Sequence, residues 1–161
     1  MDPSSLLYPE LGRIPFVGRQ DNLREIDAIA QNPSGRPTII FVTGDGGIGK
    51  TEVLKEVLQR CAEQKPYWHV AMDVVDVYHP GVRTKFGLAE QIVNVLSRDG
   101  TASFAGYAEE RSTYRRQLLS ASGAGIGKKV EDMRKRFTEG LEQLCARSTV
   151  LFALDTAEKL V

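Results

Sequence analysis

The sequence predicts an α/β fold in which a mainly parallel sheet is sandwiched between helices. Three apolar runs have the length of strands: "TIIFVT" at residues 38–43, "WHVAMDVVDV" at 68–77 and "TVLFALD" at 149–155. The first run is rich in β-branched residues and apolar on both faces, as is typical of a buried parallel strand. Segments with helical periodicity separate the three runs, and this alternation favours a parallel sheet.

The helical segments are recognised by apolar residues that recur on one face. They cover residues 19–30, 50–61, 87–96 and 130–146. Two prolines and a glycine within residues 31–37 should end the first helix. Residues 1–15 are rich in Pro, Ser and Gly and are predicted to be irregular, whereas residues 98–128 give no clear pattern.

Composition excludes several classes of protein. The chain has 161 residues, of which 42% are hydrophobic, enough for one domain with its own core. Lys+Arg and Asp+Glu both total 21, so the net charge indicates neither a nucleic-acid partner nor a membrane surface. No apolar run approaches the roughly 18 residues of a membrane-spanning helix, and the start lacks the pattern of a secretion signal. We therefore expect a soluble, cytoplasmic protein.

A glycine-rich stretch directly follows the first apolar run. Gly44, Gly49, Lys50 and Thr51 match the pattern G-x-x-x-x-G-K-[ST], between a predicted strand and a predicted helix. A loop that wraps a triphosphate brings backbone N–H groups to several oxygens, and side chains would obstruct it or forbid positive φ angles. The N-terminus of the following helix also favours an anion. The surrounding strand and helix argue against a chance glycine-rich turn.

Within this loop, Lys50 is expected to reach the β- and γ-phosphates, and the Thr51 hydroxyl is expected to ligate Mg²⁺. The predicted nucleotide-binding residues of the loop are Gly44, Asp45, Gly46, Gly47, Ile48, Gly49, Lys50, Thr51 and Glu52.

A second glycine-rich stretch, residues 122–132, repeats the letters GIGK. Ser122 stands where the first glycine belongs, Lys129 stands where the hydroxyl belongs, and no apolar strand precedes it. We interpret it as a flexible connection into the next helix. The basic residues of 111–136 are interleaved with acidic ones, which favours a solvated face over a nucleic-acid groove.

A magnesium site of this kind requires an acid at the tip of another strand. Asp155 ends the third apolar run and is predicted to bind the metal through its water shell and to accept a hydrogen bond from Thr51. Glu158, three residues on, is the nearest carboxylate that could orient or deprotonate an attacking water. Alternatively, the two acids form the capping box of a short helix. For Asp155 the phosphate loop favours the metal role; for Glu158 both interpretations stay open.

Three stretches, "FVGRQDNLREI", "TGDGGIGKTEVL" and "VLFALDTAEKL", together resemble the first half of the nucleotide-binding domain of STAND-type signal-transduction ATPases, which are related to AAA+ proteins. The resemblance covers residues 14–60 and 148–160. It implies a P-loop NTPase fold that binds ATP or ADP with Mg²⁺. It also implies base and ribose contacts from the segment "FVGR", for which a hydrophobic staple and turn is the alternative. These residues are Phe16, Val17, Gly18 and Arg19.

The catalytic residues implied are Lys50, Asp155 and Glu158. Many members of the group carry a second acid directly after the Walker B aspartate, where this chain has Thr156. Either Glu158 takes over the role of that acid or the domain binds nucleotide without turnover.

The expected function is that of a conformational switch that binds ATP and hydrolyses it slowly, with residues 16–161 forming the N-terminal part of the domain. An AAA+ motor or a DNA-replication initiator is the alternative, since "VGR" also begins those ATPase domains. Expected partners are nucleotide, further copies of the protein, and sensor or effector domains of a longer protein; neither nucleic acid nor membrane is indicated.

The resemblance further implies that one more strand, later in sequence than the Walker B strand, lies between residues 38–43 and residues 149–155. We therefore expect an incomplete sheet after the Walker B strand, with these two strands about 10 Å apart, and a longer functional unit. Direct pairing of residues 38–43 with residues 149–154 would exclude this class of P-loop protein.

Overall fold

The computed structural model describes residues 18–31, 37–65, 67–84, 86–97, 102–119 and 126–160. Two compact units, Met1–Thr43 and Gly44–Val161, divide the chain. In the first unit, helix α1 spans Gln20–Gln31, close to the predicted segment. Its Leu23 is buried, and Arg24 bonds Asp21 at 2.8 Å on the exposed side.

The strand predicted at residues 38–43 does not form. Residues 37–43 adopt neither helix nor strand, and the side chains of Ile39 and Phe41 are 76% and 79% exposed. A strand is stable only when a neighbouring strand pairs with its N–H and C=O groups. Because residues 38–43 form no strand, the further strand expected beside them stays a prediction.

The second unit contains four helices and two short pairs of strands within its described part. The α-helices are α2 (Lys50–Gln64), α3 (Gly87–Leu96), α4 (Ala105–Leu119) and α5 (Ile126–Cys145). The strands are β1 (His69–Val70), β2 (Val75–Asp76), β3 (Val150–Leu151) and β4 (Leu154–Asp155). Two 3₁₀ turns complete it, Ala102–Phe104 and Ala157–Leu160. The predicted helices at residues 50–61, 87–96 and 130–146 are thereby confirmed.

The two strand pairs are both parallel and form one interrupted ladder. β1 pairs with β3, and β2 pairs with β4. Ala71 N donates to Leu151 O, and the next bond of this kind runs from Val75 N to Ala153 O. Between the two strand pairs, residues 71–74 of one segment lie opposite residues 152–153 of the other. The two extra residues form a bulge. The prediction of parallel strands at residues 68–77 and 149–155 is confirmed, but each strand is broken in its middle.

The buried core of the second unit lies between this ladder and the helices, with α2 against β1 and α3 against β2. In the β2 segment, Val75 and Val77 are 2% and 0% exposed, whereas Asp76 between them is exposed. This alternation fixes the face that the core covers. The buried members of the core cluster are Leu58, Cys61, Val70, Ala71, Val75, Val77, Val82, Ile92, Val93, Leu96, Phe104, Tyr107, Met133 and Leu144.

Helices α4 and α5 form a hairpin in the region that gave no clear sequence pattern. The Phe137 ring stacks on Phe104 at 6.1 Å and meets Tyr107 edge-on at 5.8 Å. Burial raises the pKa of the Tyr107 hydroxyl, and the nearby Arg111 acts in the opposite direction. Because α5 starts at Ile126, the prediction that residues 122–132 are a flexible connection is wrong for residues 126–132.

Ion pairs connect α4 to the neighbouring helices α3 and α5. Arg111 bonds Glu90 of α3, and Lys129 bonds Glu110 at 2.9 Å. The bond to Glu110 raises the pKa of Lys129. Charges of opposite sign are thus paired, as the interleaved pattern of residues 111–136 indicates. None of the described helices is long and apolar enough to cross a bilayer.

Two glycines of α5 give a matched test of this packing. A Cβ at Gly140 would lie 2.5 Å from Cδ1 of Phe104 and 2.8 Å from Ser103 O, whereas one at Gly127 would have no atom within 4 Å. Gly140→Ala is therefore expected to lower the free energy of unfolding by about 1–3 kcal/mol. Gly127→Ala is expected to lower it not at all, because alanine favours the helix. Urea unfolding followed by circular dichroism compares them; equal stabilities would contradict the close packing of α5 on the turn Ala102–Phe104.

Candidate functional site

The loop between residues 44 and 49 has the backbone that its glycines predict. Gly49, at the N-cap of α2, has φ of 84°, a left-handed conformation that costs a residue with a Cβ about 1–2 kcal/mol. A Cβ at Gly44 would lie 2.3 Å from Cδ1 of Ile48. Both positions favour glycine through their positive φ angles, 146° at Gly44 and 84° at Gly49, and the loop leads directly into the first turn of a 15-residue helix.

Lys50 closes the loop from within. Its ammonium Nζ donates hydrogen bonds to the carbonyl oxygens of Gly44 and Asp45, both at 2.9 Å. A lysine ammonium carries three donors, so one remains for a ligand. Lys50 therefore connects the end of the loop to its start, and it carries a positive charge at the cavity.

Thr51 connects the loop to the far end of the chain. Its hydroxyl Oγ1 donates to Oδ2 of Asp155 at 2.6 Å, across 104 residues of sequence. The other oxygen of this carboxylate, Oδ1, accepts from the backbone N of Thr156 at 2.9 Å. A hydroxyl and a carboxylate are oxygen ligands of the kind that Mg²⁺ prefers.

Glu158 lines the same cavity as Thr51 and Asp155. It is exposed and belongs to the 3₁₀ turn Ala157–Leu160, and with Asp155 and Thr156 it lines a cavity whose other wall is the loop and the first turn of α2. A capping box would require the Asp155 carboxylate to accept from the backbone N of Glu158. The two hydrogen bonds that the described residues make to this carboxylate come from Thr51 and Thr156 instead.

The cavity has a volume of about 410 Å³, which is within the range of small-molecule sites. Its lining combines backbone N–H groups at a helix N-terminus, one ammonium group and several acids. The N–H groups and the ammonium suit phosphate oxygens, and the Thr51 and Asp155 oxygens suit a divalent cation. The residues present therefore fit a nucleoside triphosphate with magnesium.

The remaining predicted residues are placed differently. Glu52 lines the cavity but pairs with Lys55 at 3.2 Å, Ile48 is 38% exposed, and Gly46 is exposed. Phe16 and Val17 lie outside the described residues. Gly18 and Arg19 belong to the first unit and have φ of 92° and 53°; Arg19 O accepts from Leu23 N, which begins α1. The base and ribose contacts stay predictions.

Sequence reasoning missed Asp76, although its position at the end of an apolar run was a usable signal. Asp76 is in register with Asp155 on the neighbouring parallel strand, and its Oδ1 accepts from the backbone N of Tyr78 at 2.8 Å. Paired residues of neighbouring strands lie about 5 Å apart. A second carboxylate therefore lies at the edge of the sheet where β4 ends with Asp155.

Comparison with known protein families matches residues 15–160 to the AAA ATPase domain. Neither the curated proteins nor the solved structures contain a match to this chain. The matched range includes the loop at residues 44–51 and extends past Asp155 and Glu158.

Proposed function

Since the chain belongs to the AAA ATPase domain family, we propose that it is the ATP-binding switch domain of a STAND-type signalling ATPase. The observation that carries this proposal is the bond from Thr51 Oγ1 to Asp155 Oδ2. It joins the phosphate loop to the acid at the tip of a strand, the combination that P-loop ATPases use to hold a triphosphate and its metal.

Each residue around the cavity has a role in the proposal. The amides of the loop bind the phosphates, and Lys50 binds the β- and γ-phosphate oxygens with its remaining donor. Thr51 and Asp155 would hold Mg²⁺, and the metal would supply positive charge beside the phosphate oxygens. Glu158 orients the attacking water and accepts its proton.

The switch follows from where these groups lie in the chain. A γ-phosphate contacts both the loop and the segment of residues 155–158, so its presence favours one arrangement of that segment and its loss releases it. ADP makes only part of these contacts. The two nucleotides should therefore populate different states of one domain.

Amide hydrogen exchange tests the switch. With Mg²⁺ and a non-hydrolysable ATP analogue, exchange across residues 155–160 is expected to be slower than with ADP, because the γ-phosphate orders this segment. Asp155→Asn should remove the difference by weakening the metal site. Asp132→Asn is the matched control, since Asp132 is on α5 outside the cavity.

Equal exchange with the two nucleotides in the wild-type protein would contradict a switch. Tight nucleotide binding without any phosphate release would instead indicate a binding module, for which the threonine at position 156 is the supporting observation. The family match also fits an AAA+ motor or replication initiator; phosphate release that double-stranded DNA stimulates would favour that function.

A further inference from the structure

Thr156 has a backbone conformation that its side chain disfavours. Its φ is 58°, and among the described residues other than glycine only Arg19 shares a positive value. The left-handed region brings Cβ close to the carbonyl oxygen, and a β-branched side chain there is a genuine outlier. Such conformations persist only where the surrounding structure holds them, and they cluster at functional sites.

The turn at Thr156 has two effects on the cavity. Its backbone N donates to Asp155 Oδ1 and so fixes one oxygen of a carboxylate whose other oxygen Thr51 holds. It also ends β4 at Asp155, and the chain enters the 3₁₀ turn that carries Glu158. If residues 156–158 continued the strand, residue 158 would lie roughly 10 Å beyond Asp155 along the strand direction, whereas Glu158 lines the cavity together with Asp155.

We propose that Thr156 is a positioning residue, whose left-handed turn places the Glu158 carboxylate at the cavity and orients the Asp155 carboxylate. The inference rests on the proposed function, because it takes Glu158 as the residue that orients the water. The conformation at position 156 matters for this role and the hydroxyl does not. A residue that can adopt the turn should therefore retain hydrolysis when it replaces threonine. A residue that cannot adopt the turn should lower hydrolysis much more than it lowers nucleotide affinity.

Three substitutions at one position test this. Thr156→Gly and Thr156→Asn permit a positive φ, whereas Thr156→Pro fixes φ near −65° and removes the N–H that bonds Asp155. Thr156→Pro is expected to lower phosphate release by roughly tenfold or more, with the dissociation constant of nucleotide without Mg²⁺ changed less than about threefold, because the loop and Lys50 are unchanged. The glycine and asparagine variants should stay within about threefold of wild type in both measurements.

Two further measurements separate positioning from general destabilisation. The Thr156→Pro, Glu158→Gln double variant should lose much less phosphate release than the product of the two single losses, since both changes act on the Glu158 carboxylate and only Thr156→Pro also affects Asp155. Without nucleotide, Thr156→Gly should raise the melting temperature by roughly 2–4 °C, because glycine removes the strain of the turn.

Wild-type hydrolysis by Thr156→Pro, or an equally large loss in Thr156→Gly, would overturn the proposal. If Thr156→Pro does not fold, the glycine and asparagine variants decide: retained hydrolysis with a raised melting temperature supports the turn, and a lowered melting temperature in both overturns it. If the wild-type protein binds no nucleotide, the proposed function fails, while the melting temperatures still report whether the turn is strained.

Discussion

Lys50→Ala is expected to weaken ATP and ADP binding by roughly ten- to a hundredfold. The substitution removes a charge-assisted contact worth about 1.5–3 kcal/mol. It also removes the two bonds from Nζ to Gly44 O and Asp45 O, so the loop loses the group that closes it. Both effects reduce the affinity for the β-phosphate, so ADP should be affected as well as ATP.

Titration with a fluorescent nucleotide analogue measures this change. Lys135→Ala is the matched control, because Lys135 lies on α5 outside the cavity lining, and its surface pair with Glu139 contributes little to stability. Both variants lose one positive charge. Equal affinities in Lys50→Ala and wild type would exclude the loop as the phosphate site, and equal losses in the two variants would reduce its role to general electrostatics.

Glu158→Gln is expected to retain nucleotide binding and to lower phosphate release by about 10²–10⁴-fold. Glutamine keeps the shape of the side chain and removes its basicity, so only the step that requires a base is affected. The expectation depends on the position of Glu158 on the wall of the cavity that Lys50 and Thr51 also line. Without a base at this wall, water would attack the triphosphate only slowly.

The matched control is Glu142→Gln, which changes an exposed glutamate on α5. Single-turnover phosphate release at saturating ATP, measured for all three proteins, separates hydrolysis from binding. A Glu158→Gln variant that releases phosphate at the wild-type rate would remove Glu158 from the mechanism. Asp76, which is in register with Asp155, would then be the next carboxylate to substitute.

Local patterns predicted much of the helical structure and the phosphate loop. The periodic apolar residues of α2 and α3 gave their extents because those faces are buried in the core. The loop could be predicted because its glycines meet a local requirement, a positive φ angle at both Gly44 and Gly49. Such requirements involve residues close together in the chain, so they can be predicted from one sequence.

Contacts distant in sequence determine the parts that were not predicted. Residues 38–43 read as a strand, but an apolar run becomes a strand only when another strand pairs with it. The bulge depends on Met72 N, which donates to Val95 O of α3, and on Asp73, whose Oδ1 accepts from Val74 N. The first turn of α5 is stabilised by the pair of Lys129 with Glu110.

The turn at position 156 likewise could not be predicted from the local sequence. The pattern after Asp155 read equally well as a capped helix or as a catalytic acid, because sequence gives residue types and not φ angles. The positive φ of Thr156 does not fit the first turn of a helix capped by Asp155, and the catalytic role of Glu158 stays a proposal. A β-branched residue directly after the strand gives no sign of this turn, since threonine ordinarily favours extended conformations.

The long connection between the paired strands has a consequence for how the protein folds. His69 of β1 pairs with Val150 of β3, so three α-helices lie within the loop that this parallel pairing closes. Closing a flexible loop of about 80 residues costs roughly 4 kcal/mol of chain entropy, and pairings so distant in sequence fold slowly. Local formation of the α4–α5 hairpin shortens the flexible part of this loop. We therefore expect the cavity beside Asp155 to be among the last features to assemble, and the refolding rate to follow the stability of a hairpin that contributes no residue to the lining of that cavity.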